Sequence, residues 1–93
     1  MRSALPPILF DHAEAVEIKE AAHRVRRSEK TVRRWVSRYG IGRQAGDRAP
    51  IEVCVVALVM VEHGDFPSLE LLRAGRRDAP EVQRYLNHLG LPT

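Results

Sequence analysis

The sequence predicts a mainly helical domain in which two short helices meet at a tight turn and a small β-hairpin follows. Three observations carry that expectation. Apolar residues recur at helical spacing, first Ala15, Ile18, Ala22 and Val25, then Val32, Trp35, Val36 and Tyr39. Proline and glycine punctuate the chain where helices would open and close, at Gly40, Pro50, Gly64, Gly75, Pro80 and Gly90. Charge is segregated: residues 24–48 hold nine basic and two acidic side chains, +7, whereas the other 68 residues hold six and ten, −4.

Residues 1–10 read as an extended arm or a frayed end, with Pro6-Pro7 favouring polyproline geometry and Arg2 near the tip. Asp11 suits a helix cap, and the first helix starts either at residue 12 or near 17 after a short strand. Ser28 is a good N-cap for the second helix, whose apolar side is Val32, Trp35, Val36 and Tyr39 and whose opposite face holds Lys30, Arg33, Arg34 and Ser37. Gly40 closes it by accepting a left-handed conformation. Residues 41–49, with glycines at 42 and 46, suggest a hairpin of two very short strands, a wing with Arg43 and Arg48 beside its tip.

Pro50 suits the first turn of a third helix. The apolar run 53–61 is β-branched enough for a buried strand, but its length and flanking Pro50 and Gly64 favour a helix of about four turns. A helix apolar all round must be covered on several sides, which hints at a subunit contact. Residues 68–74 and 80–89 make two further helices, the last with the stripe Val82, Tyr85, Leu86 and Leu89. The expected organisation is an arm (1–10), a winged helix-turn-helix (11–63) and a helical extension (64–93) packed on the same domain or on a neighbouring subunit.

Composition excludes several classes. Cys54 is the single cysteine, so an intrachain disulfide and a thiolate zinc site are both ruled out. His12, His23, His63 and His88 lack ligand spacing, and no metal or other cofactor is expected. Phosphate-loop, triad and paired-acid motifs are missing, so an enzyme is not expected; Glu14, Glu17 and Glu20 read as the solvent face of the first helix. The prolines in the N-terminal apolar stretch argue against a signal peptide, and the nine-residue run 53–61 is far short of the ~20 residues of a membrane span. A bacterial cytoplasmic, nucleoid-associated protein without a small-molecule ligand is the expectation. Five aromatic residues give little platform for single strands, which favours duplex DNA.

A basic outer helix face can enter the B-DNA major groove and read base edges. The candidates for base contact are Ser28, Lys30, Thr31, Arg33, Arg34 and Ser37, with Thr31 on a flank that also reaches phosphates. Those for the DNA backbone are Arg24, Arg26, Arg27, Arg38, Arg43, Gln44 and Arg48. Trp35 reads as core, Cys54 as a buried inert thiol, and Arg76-Arg77 beside Asp78 as a solvated loop more readily than a second phosphate site.

Glu20-Ala21-Ala22, then Ser28, Thr31, Val32 and Trp35, a wing over residues 40–49 and Pro50 together resemble the MerR-like winged helix-turn-helix of excisionases, the recombination directionality factors of phages and integrative elements. The likeness covers residues 17–63. The family usually has glycine and an apolar residue in the turn, where this chain has Arg26-Arg27. The resemblance implies an architectural protein that binds adjacent sites on attachment DNA, often head to tail, bends it and contacts a tyrosine-type integrase. Two other functions stay open: a small winged-helix transcriptional regulator, and an interaction or oligomerisation module whose basic face binds an acidic partner.

Overall fold

Residues 5–93 are described in a computed structural model of the chain. Asp11 precedes a 3₁₀ turn at His12–Glu14, and a short strand β1 (Ala15–Glu17) leads into α1 (Ile18–Val25). Of the two starts open to the sequence, the strand followed by a helix is the one adopted. Helix α1 buries Ile18, Ala21, Ala22 and Val25 and then turns sharply into α2 (Glu29–Tyr39). The Ser28 hydroxyl accepts the Thr31 N–H at 3.1 Å, and Gly40 ends α2 with φ 63°. Both ends of α2 are thus fixed by the residue types the sequence supplies for that purpose.

The hairpin is wider than the glycine spacing suggests. Strand β2 (Gly42–Arg43) pairs antiparallel with β3 (Glu52–Cys54), and residues 44–51 form the loop between them. The second strand therefore lies beyond Pro50, and Pro50 sits in the loop instead of opening a helix. Strand β3 is the middle of a three-stranded sheet in the order β1-β3-β2. Val53, its β-branched residue, and its neighbours take the extended form because both edges of β3 are satisfied, by β1 and by β2.

Only the second part of the apolar run is helical: α3 (Val55–Glu62) has about two turns, not four. Each residue from Val55 to Val61 is buried, and α1, α4 (Phe66–Arg73) and α5 (Pro80–His88) pack around it. The chain's own helices supply cover for the run where the sequence hinted at a subunit contact. Fully burying side chains such as Leu58 and Met60 stabilises by about 1.5–3 kcal/mol each.

The extension packs on the same domain. Leu69, Leu72, Ala79, Val82 and Leu86 belong to one core with Val25, Val32, Ile41 and α3. Helix α4 begins at Phe66, earlier than residue 68, because the Asp65 carboxylate caps it by accepting the Ser68 N–H and Pro67 suits the first turn. The stretch after Leu5 has no regular structure, yet Ile8 and Phe10 are buried in the core. It is a packed strap, and the expected arm tip at Arg2 lies outside the described residues. Among the described residues, no helix is long and apolar enough to cross a membrane.

Candidate nucleic-acid interface

Between α1 and α2 the chain turns on Arg26, whose backbone is left-handed at φ 56°, ψ 42°. The Arg26 N–H reaches the His23 carbonyl at 3.3 Å and the Arg27 N–H reaches the Ala22 carbonyl at 3.1 Å. That is the Schellman pattern, usually built on glycine. An arginine here keeps the tight turn at the cost of a left-handed L-residue, and it places a cation where glycine would place none.

Helix α2 presents Lys30, Arg33, Arg34, Ser37 and Arg38 to solvent, while Val32 is fully buried against the core. Trp35, Val36 and Tyr39 are half-buried and pack on the same core, as their spacing predicts. Arg33 faces Glu29 at 3.9 Å, a loose exposed pair that contributes little. Lys30, Arg34 and Arg38 form no ion pair among the described residues, and neither do Arg26, Arg27 and Arg48. Six cations free of carboxylates thus lie on the turn, on α2 and in the loop that follows.

Other expected contacts are used inside the fold. Ser28 and Thr31 face each other across the helix cap, hydroxyl to hydroxyl at 3.1 Å. Arg24 pairs with Glu20 at 3.0 Å. Arg43 is not at a wing tip. It lies in β2, its Nε donates to Glu52 at 2.8 Å, its Nη1 donates to the Phe10 carbonyl, and its guanidinium lies 4.2 Å from the Phe10 ring centre. Arg43 thus pairs with the Glu52 carboxylate and ties the strap to the sheet through the Phe10 carbonyl. The Gln44 amide donates to the Ala49 carbonyl at 2.8 Å and so shapes the loop from within. Of the loop basics, Arg48 alone remains outward and unpaired among the described residues.

Gly42 sets the distance between this loop and α2. A β-carbon there would meet the Glu52 carbonyl at 2.9 Å and a Val36 methyl at 3.0 Å. Glycine lets β2 lie directly against the Val36 side of α2.

Two buried polar clusters stand outside the sites expected from the sequence. Glu14 is buried and Arg77 grips it bidentately, at 2.8 and 2.7 Å, while also donating to the Leu9 carbonyl. Neither the reading of Glu14 as solvent face nor that of Arg77 as a solvated loop survives. Asp65 accepts from the Tyr85 hydroxyl and from Ser68, both at 2.7 Å, which holds its carboxyl below the usual range; Asp65 three residues before Ser68 was a readable cap signal. Burial and the Asp65 carboxylate push the Tyr85 phenol up to about 12. Burial raises the Cys54 thiol to about 11, unsuited to a nucleophile. A cleft of about 290 Å³ is lined by His63, Asp65, Glu81, Arg84 and His88, and among the described residues no three His, Cys, Asp or Glu side chains are grouped to hold a metal ion.

Comparison of the chain with protein-family models, with curated proteins and with solved structures gives no match.

Proposed function

We propose that this chain is a winged helix-turn-helix protein that binds double-stranded DNA, with α2 as the helix that enters the major groove and residues 44–51 as the wing. The observation that carries this reading is the set of six uncompensated cations on one contiguous stretch, Arg26, Arg27, Lys30, Arg34, Arg38 and Arg48. A solvated face built for solubility would interleave acids, as the rest of the chain does. Lys30, Arg33, Arg34 and Ser37 face bases; Arg26, Arg27, Arg38 and Arg48 grip phosphates on either side.

The resemblance of residues 17–63 to the excisionase motif supports an architectural role, with cooperative binding at attachment sites and contact with a tyrosine-type integrase. A transcriptional regulator would use the same surface. Self-association and integrase contact then fall to surfaces other than the buried run 53–61. Titration against duplex DNA at several salt concentrations tests the class. Five or six phosphate contacts give log affinity a slope of about −5 against log salt. Absence of duplex binding at low salt overturns the reading and leaves the basic face to an acidic protein partner. A footprint on attachment DNA then separates the architectural role, which requires several adjacent protected sites, from a single operator.

A further inference from the structure

Resting on the DNA-binding reading, we propose that Arg73 is a positioning residue that holds the exit end of α2 at the angle needed for groove entry. Arg73 closes α4, and only 4% of its side chain is exposed. Its Nη2 donates to the Tyr39 carbonyl, its Nη1 donates to the Pro6 carbonyl at 2.8 Å, and Glu70 faces its Nε at 3.3 Å. Tyr39 is the last residue of α2, and its carbonyl has no donor from within the helix. That carbonyl also lies at the negative end of the helix dipole, where a cation is stabilising. The other end of α4 touches the same residue: the Phe66 and Tyr39 rings lie 5.2 Å apart. Helix α2 is therefore capped at its entrance by Ser28 and gripped at its exit by both ends of α4.

Side-chain chemistry makes arginine specific for the task. A planar guanidinium can donate to two carbonyls from different segments at once, whereas a lysine ammonium on a flexible stem is a point charge without that fork. Losing the grip frees the last turn of α2, which carries Ser37 and Arg38 and directly follows Arg34. Those side chains then spend part of their time out of register with the groove. The extension 64–93 is in this sense a brace for the reading helix.

The test compares wild type, Arg73→Ala and Arg73→Lys on a duplex selected for tight binding by the wild type, at a temperature where circular dichroism shows each variant folded. Arg73→Ala is expected to bind about tenfold more weakly, or about 1.4 kcal/mol, with Arg73→Lys intermediate. The slope of log affinity against log salt falls by no more than about one, because of the phosphate-gripping side chains only Arg38 lies on the freed turn. Amide exchange at Gly40, which donates to Val36, speeds up while the α3 amides stay protected. If Arg73→Ala does not fold, Arg73→Lys carries the same comparison. Wild-type affinity in the folded variants, or a salt slope flattened by about two or more, overturns the positioning role alone. A wild type that binds no duplex overturns the DNA reading, and the positioning role with it.

Discussion

Replacing Arg77 should destabilise this domain more than replacing its partner Glu14. The Glu14 side chain is 7% exposed, and the Arg77 side chain is 36% exposed. Removing Arg77 strands a buried carboxylate near Cys54 without its cation. Breaking a fully buried pair in this way costs about 3–5 kcal/mol. The exposure of Arg77 lowers that, because water already screens part of the pair, and about 2–3 kcal/mol is expected for Arg77→Ala. Removing Glu14 instead leaves a guanidinium that is one-third solvated and still donates to the Leu9 carbonyl, so Glu14→Ala should cost about 1–2 kcal/mol. For a domain of this size each kcal/mol moves Tm by roughly 4–8 °C, which puts Arg77→Ala some 10–20 °C below wild type. Urea unfolding followed by circular dichroism measures both variants, with an unchanged m-value as the check that the unfolded state is unaltered. Equal losses, or a greater loss for Glu14→Ala, would refute the reasoning, since the asymmetry follows directly from which charge is left buried.

Three other perturbations follow from the same geometry. Arg26→Gly relieves a left-handed arginine and should stabilise by roughly 0.5–1 kcal/mol, net of glycine's larger unfolded-state entropy; chemical denaturation reads the gain, and a loss of stability would show that the Arg26 side chain holds the turn. Gly42→Ala drives a β-carbon to 2.9 Å from the Glu52 carbonyl and should cost about 1–3 kcal/mol by thermal unfolding; a neutral result would mean that β2 is not pressed against α2. Tyr85 keeps its proton up to about 12, above its ordinary 10.0. Because its folded value is raised, its contribution is complete below pH 10 and disappears as pH climbs from 10 to 12. Tyr85→Phe should therefore be less stable than wild type at pH 7, with the gap closing toward pH 12. Cys54 titrates alike in both proteins, so a gap that persists at pH 12 contradicts the assignment.

What the sequence revealed and what it hid divide along a physical line. The ends of α2 were legible because Ser28 and Gly40 act on backbone groups within a few residues of themselves. The basic face was legible because helical spacing and charge are local properties. The run 53–61 was misread because β-branched residues suit a strand and a buried helix alike, and pairing on both sides of β3 decided between them. Arg43, Arg73 and Arg77 look like surface cations in a sequence. They are instead bonded to chain segments 33 or more residues away, and no local pattern announces such partners. Arg26 shows the converse, since the turn glycine usually found in such motifs is absent while its backbone conformation is kept.

Mapping the amide shifts of the isotope-labelled protein on adding a short duplex tests the assignment of the reading face most directly. With α2 as the groove helix, the perturbed amides fall on Arg26, Arg27, the exposed positions of α2 and the loop 44–51. Lys30→Ala and Arg34→Ala then each weaken binding by about 1–3 kcal/mol, the worth of one base-reading side chain. Shifts confined to α5 and the Arg76–Asp78 loop, with α2 silent, would contradict it.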